Sequence, residues 1–304
     1  MPPVFRNSPQ FVSEPRSAAL GRPVVVKADT VNPIGCFKGR GTWLAVSQLT
    51  DAGRVGESRG LVIASAGNFG QGVAYAARAQ GVPVIVFGSS RANPAKVNAM
   101  RLLSAEVRLV GEDFDAARAA AATFAAQHGW ELLVDGQDPW IAVGAGTMAL
   151  ELTDAIERDD LPALGAIYVP VGNGALIGGI GTWLKAESPS TRVIGVQAER
   201  APAMTLSWRQ HRSIETERAD TIADGIATRV PVPEALEVMA STVDEMTLVS
   251  ESAILAAQHE LQAALPVAIE PSAAAAWAAA RHAQPGAGAV AIILTGGNLP
   301  PRQD

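Results

Sequence analysis

From residue 61 onward, short apolar runs alternate with glycine-bearing turns and stretches of helical spacing. Residues 61–65, 82–87, 106–110 and 131–134 read as strands, and residues 73–80, 94–103 and 115–128 as helices between them. Gly81 and Gly129 stop two of these helices, and Pro94 suits the first turn of another. After Asp138-Pro139 the pattern restarts, with helices at 147–157, 180–186, 250–265 and 271–283 and strands at 166–171, 193–197 and 289–294. Alternation of this kind gives an α/β fold, mostly parallel sheets flanked by helices. Ahead of it, residues 1–20 read as extended, 23–27 as a strand and 42–49 as a helix, while residues 200–235 read as irregular. The expected organisation is two α/β domains: a large one of residues 1–45 and 141–304, and a small one inserted at 46–140.

The 304 residues suffice for two domains with a large core. A content of 48% hydrophobic and 18% charged residues excludes extensive disorder. The net charge of −6 carries no basic block, which argues against nucleic acid or an anionic membrane as partner. Cys36 is the single cysteine, so no internal disulfide forms and a reducing compartment fits. Residues 1–6 show no apolar signal region, and the most apolar stretches are alanine-rich or broken by glycine. A soluble, cytoplasmic protein acting on a small molecule is the expectation.

Lys38 lies in Gly35-Cys36-Phe37-Lys38-Gly39-Arg40-Gly41, after the apolar run Val24-Val25-Val26. Lysine is scarce, with only Lys27, Lys38, Lys96 and Lys185, while arginine supplies most positive charge. A lysine amine can act as nucleophile or base after losing a proton, which a guanidinium cannot do. Taken alone, Lys38 is equally a solvated loop cation. Gly172-Asn173-Gly174-Ala175-Leu176-Ile177-Gly178-Gly179 follows a strand and opens a helix, so its backbone N–H groups can converge on a phosphate. Its spacing also approaches a dinucleotide fingerprint, with Glu199 after the next strand as a ribose-binding acid. Ser65-Ala66-Gly67-Asn68-Phe69-Gly70 is a second such turn, able to hold a carboxylate through backbone N–H groups and the Ser65 hydroxyl, or to serve as a simple turn. Thr295 places a hydroxyl at the end of the last strand.

An activatable lysine, a phosphate nest, a carboxylate nest and a neutral hydroxyl together describe pyridoxal phosphate holding an amino acid. Over nearly its whole length the chain also resembles the fold-type II pyridoxal-phosphate enzymes (tryptophan synthase β-like), in the serine/threonine dehydratase branch. The matching stretches are residues 35–41 (G-S-F-K-x-R-G in that family), 65–72 (S-x-G-N-H-x-Q-G), 138–151 (D-P-x-x-x-G-Q-G-T-x-x-x-E), 170–179 (P-x-G-G-G-G-L-x-x-G), Ala223-Asp224-Gly225, Glu270-Pro271-Ser272 and residues 295–298 (S-G-G-N).

The resemblance implies that Lys38 is the Schiff-base lysine and the base for the Cα proton. It implies that Asn68 bonds the cofactor's phenolic oxygen, that Gly172, Asn173, Gly174, Ala175 and Leu176 cradle its phosphate, and that Thr295 faces its ring nitrogen. Ser65, Ala66, Gly67, Phe69 and Gly136 would contact the amino acid substrate. A hydroxyl beside the ring nitrogen makes the ring a weaker electron sink than a carboxylate would, which favours prompt β-elimination over transamination.

The departures are Cys36 for serine, Phe69 for histidine, Ala145 for glutamine, and Asp135-Gly136 where dehydratases carry Pro-Phe. Loss of that ring suggests a substrate bulkier than serine, such as threonine or a 3-aryl-serine. Ala66 stands where similar racemases carry a second serine, so racemisation should be poor. Thr205 replaces an expected metal-site aspartate beyond Glu199 and Ala203, and the four histidines lie singly, so no metal is assigned. The implied activity is dehydration and deamination of a β-hydroxy amino acid to a 2-oxo acid and ammonia by a homodimer. The alternatives are β- or γ-replacement, which Asn32-Pro33 also resembles, and a nicotinamide-dependent oxidoreductase or nucleotide-binding protein.

Overall fold

A computed structural model describes residues 1–65, 67–284 and 286–299. In chain order its elements are β1 (Gln10–Val12), α1 (Glu14–Leu20), β2 (Val24–Ala28), α2 (Lys38–Asp51), β3 (Leu61–Ala64), α3 (Asn68–Ala79), β4 (Val84–Gly88), α4 (Pro94–Leu102), β5 (Glu106–Leu109), α5 (Phe114–His128) and β6 (Glu131–Leu132). They continue with α6 (Pro139–Glu157), β7 (Leu164–Pro170), α7 (Ala175–Glu187), β8 (Arg192–Ala198), α8 (Ala203–Gln210), α9 (Pro233–Thr242), β9 (Glu245–Val249), α10 (Glu251–Ala264), α11 (Pro271–Ala280) and β10 (Ala289–Leu294). Contacts divide the described chain into two units, one built from residues 38–144 and the other from 2–37 and 145–299. The first division falls at residue 38 rather than 46 because α2 begins at Lys38 and is continuous to Asp51.

The larger unit holds a six-stranded sheet in the order β1-β2-β10-β7-β8-β9. All neighbours are parallel except β1 against β2. Its central strands are buried on both faces, as parallel sheets between helices must be. Alternate residues show this: Val24, Val26 and Ala28 enter one core cluster while Val25 enters the other, and Val290, Ile292 and Leu294 oppose Ala289, Ala291 and Ile293. One cluster is closed by α11, whose alanines let a helix buried almost all round lie close beneath the strands. Lys27 falls on a buried position of β2 and is matched by Glu151 of α6, with Nζ 2.5 Å from Oε2.

The smaller unit holds a four-stranded parallel sheet, β5-β4-β3-β6. Val62, Ile85 and Phe87 pack there against Ala117, Ala121 and Ala125 of α5.

Several expectations need correction. Residues 1–20 are not simply extended, since α1 forms with Pro15 in its first turn and Gly21 at φ +72° closing it. Residues 200–235 include all of α8 and the start of α9. Burial of Ala203, Met204, Thr205 and Ser207, with the Thr205 N–H and hydroxyl both donating to Gln197 Oε1, stabilises α8 despite its mixed composition. The glycine turn after β7 ends at Gly174, and Ala175 through Gly179 are already helical.

Candidate active site

Lys38 opens α2 rather than lying in a loop, and glycines set its surroundings. A Cβ on Gly72 of α3 would fall 2.8 Å from Thr42 Oγ1 and 3.3 Å from the Lys38 carbonyl carbon. The start of α2 is therefore reachable by α3 only because residue 72 has no side chain. Likewise a Cβ on Gly41 would lie 2.3 Å from the Ile141 carbonyl oxygen, and one on Gly144 would lie 2.6 Å from that of Arg40. Arg40 itself is completely buried.

The Lys38 side chain ends on two groups of its own unit. Nζ donates to Asp135 Oδ1 at 2.9 Å and Oδ2 at 2.7 Å, and lies 5.7 Å from the centre of the Phe69 ring. Both partners of the ion pair are 13% exposed. Asp135 reaches this place because Leu133 N–H donates to the Val62 carbonyl, keeping the chain beside β3 beyond the end of β6. Gly136, at φ +89°, then turns the chain toward α6. The turns after β3 and β6 thus leave the same edge of the sheet, at the carboxyl ends of parallel strands, where ligands of such sheets gather.

After β3, the Ser65 hydroxyl oxygen accepts from Gly67 N–H at 3.2 Å and Gly70 N–H at 3.0 Å. Those two N–H groups are therefore engaged by a side chain of the chain itself, which revises the expected carboxylate nest. The Ser65 hydroxyl proton and the positive end of α3, where Asn68 and Phe69 are the first two residues, are what this turn presents to an anion. Ala66 lies outside the described residues.

In the larger unit, Gly172, Asn173 and Gly174 connect β7 to α7, and Ala175 and Leu176 are the first residues of that helix. Gly174 sits at φ +93°, and a Cβ there would be 2.8 Å from the Ala235 Cβ and 3.1 Å from Met204 Cε and Met239 Sδ. A Cβ on Gly172 would be 2.8 Å from the Gly225 carbonyl oxygen, and Gly225 N–H in turn donates to Ser272 Oγ at 2.9 Å. Thr228 Oγ1 donates to Asn173 Oδ1 at 3.2 Å. Three stretches singled out in the sequence, 172–176, 223–225 and 270–272, therefore meet around one buried loop. Thr295 is 4% exposed and follows β10, the neighbour of β7, so both turns open at one sheet edge. Its carbonyl accepts from Phe37 N–H at 2.9 Å, and Cys36 bridges Gly296, which anchors the two residues immediately before Lys38.

Sequence reasoning treated Asp135 only as part of a lost aromatic pair and missed its contact with Lys38. Nothing in the local pattern points to it, because the residues are 97 positions apart. Among the described residues, no three His, Cys, Asp or Glu side chains group as metal ligands.

These features suit an aldehyde cofactor bearing a phosphate. The 172–176 stretch carries backbone donors at a helix N-terminus with no acidic side chain among them, and the lysine amine is held among small residues. Comparison with known proteins agrees. The family described as "Pyridoxal-phosphate dependent enzyme" matches residues 3–296. An L-threonine ammonia-lyase of Thermotoga maritima is 36% identical over 93% of this chain and 69% of its own length. Threonine deaminase isoform 2 of Solanum lycopersicum superposes with a TM-score of 0.88 at 30% identity, covering 98% of this chain and 82% of that one. A bacterial-strain threonine deaminase, from T.th., gives a TM-score of 0.86 at 32% identity, covering 96% and 92%. The dinucleotide reading of residues 172–179 is thereby set aside, and Glu199 is an exposed residue following β8. The chain belongs to the pyridoxal-phosphate dependent enzyme family.

Proposed function

We propose that this enzyme dehydrates and deaminates a 2-amino-3-hydroxy acid, threonine or serine or a bulkier 3-hydroxy analogue, to a 2-oxo acid and ammonia. The observation that carries the reading is the likeness to threonine ammonia-lyases and deaminases across nearly the whole chain, at 30–36% identity. When bound, pyridoxal phosphate withdraws electrons from the amino acid Cα and so makes its proton removable.

The residues divide the remaining work. Lys38 supplies the amine that fixes the cofactor, and Nζ receives the Cα proton once that amine is free. The N–H groups of residues 172–176 hold the phosphate at the positive end of α7. Asn68 holds the phenolic oxygen, and Thr295 offers a hydroxyl to the ring nitrogen. The Ser65 hydroxyl and the start of α3, with Gly67 and Phe69, bind the substrate carboxylate. Gly136 leaves room beside Cβ, and its φ of +89° means that a phenylalanine placed there would also strain the backbone. The same reading includes a homodimer in the cytoplasm, the first part of which sizing chromatography tests.

The test is a screen of threonine, serine and 3-phenylserine for 2-oxo acid release, with Lys38→Ala as control. Release from at least one of them, abolished in the variant, is expected. Product formation only when a thiol acceptor is added would favour β-replacement instead.

A further inference from the structure

Lys38 Nζ has the Asp135 carboxylate at 2.7 and 2.9 Å and the face of Phe69 at 5.7 Å. A carboxylate and an aromatic face are the two groups that attract an ammonium without donating to it. Both residues come from turns at one sheet edge, and Phe69 is 6% exposed, so the arrangement is built into the fold rather than made by mobile surface chains. Asp135 is also one of the chain's departures from the dehydratase pattern, as is Phe69.

We infer that Asp135 and Phe69 form the cradle for the Lys38 ammonium produced during turnover, with Asp135 as a catalytic residue that touches the reacting nitrogen. The inference rests on the function proposed above. In the proton step the substrate Cα–H bond breaks and an N–H bond forms at Nζ. The electron pair passes into the Cα–Cβ bond as the β-hydroxyl leaves, and the hydroxyl takes up the equivalent of that proton to depart as water. The new charge on Nζ appears against a carboxylate already at hydrogen-bond distance, so no group has to reorganise to meet it. The same pairing has the opposite consequence in the cofactor-free protein, where Asp135 holds the amine that must be released to capture the aldehyde.

The experiment therefore reads two rates that a purely structural role would move together. Cofactor-free Asp135→Asn is mixed with pyridoxal 5'-phosphate and capture is followed by absorbance. The loaded enzyme is then assayed with threonine protonated or deuterated at Cα. Capture is expected to be faster than in the wild type. In contrast, kcat is expected to fall about 10- to 100-fold, the range for losing a charge-assisted hydrogen bond, with KM little changed and the deuterium effect retained or enlarged. Asp135→Glu should recover part of kcat, and Phe69→Leu should lower it about two- to fivefold. Capture and turnover slowed in parallel, or kcat unchanged in Asp135→Asn, would overturn the inference. Failure of the wild type to capture the cofactor would overturn the proposed function as well. Capture without turnover of any hydroxy amino acid overturns only the assigned reaction, and the capture arm then decides on the cradle.

Discussion

Gly174→Ala is the sharpest probe of the loop assigned to the phosphate. The native φ of +93° is outside the region an L-residue occupies readily, and adopting it costs about 1–2 kcal/mol. The added methyl also meets the Ala235 Cβ at 2.8 Å and two methionine ends at 3.1 Å. The methionines can swing away, but Ala235 is part of α9 and cannot, so overpacking adds about 1–3 kcal/mol. Restriction of the unfolded chain returns roughly 0.5–1 kcal/mol. The net expectation is a loss of about 1–4 kcal/mol, together with a weaker hold on the cofactor, because displacing Gly174 moves the N–H groups of Ala175 and Leu176. Urea unfolding of the cofactor-free protein gives the first quantity, and fluorescence titration with pyridoxal phosphate gives the second. Gly21→Ala is the control, since Gly21 has φ +72° but nothing within 4 Å of a Cβ. It should show the conformational cost alone and normal cofactor affinity. If Gly174→Ala costs no more than Gly21→Ala and binds pyridoxal phosphate normally, residue 174 does not shape the cradle.

Two further outcomes follow from buried polar groups. Lys27→Met strands the Glu151 carboxylate, 8% exposed, and should cost about 3–5 kcal/mol in urea unfolding, whereas Lys27→Met with Glu151→Leu should cost less than the two single changes summed. Tyr168 has its pKa raised above 10.0, chiefly by burial, with Glu245 adding to the shift and Arg22 and Arg192 opposing it. The folded state thus keeps a proton that the unfolded chain releases, so stability is unaffected below about pH 10 and falls as pH rises beyond it. Tyr168→Phe should flatten that alkaline decline, and an unchanged slope in denaturation followed from pH 9 to 11 (roughly one unit either side of a tyrosine's ordinary value) would refute the assignment.

What the sequence disclosed was whatever local chemistry dictates. Central strands such as β10 are continuous apolar runs, and α5 ends at a glycine with φ +65°, so both were legible. The phosphate turn was legible because it needs glycine for its own backbone. Elements fixed by remote contacts were not. Helix α8 depends on burial and on Gln197, and Asp135 depends on how β6 lies beside β3. Helix lengths at the site were underestimated for a related reason. Lys38-Gly39-Arg40-Gly41 looks like a turn by composition, but Gly41 is glycine because the Ile141 carbonyl passes close by, not because the chain bends there.

The most direct measurement asks which nitrogen holds the cofactor. The purified protein is incubated with pyridoxal 5'-phosphate, reduced with borohydride, digested and analysed by mass spectrometry. A reduced pyridoxyl adduct on the peptide bearing Lys38, absent from Lys38→Ala, is the predicted result. An adduct confined to Lys27, Lys96 or Lys185, or none at all, would contradict the account.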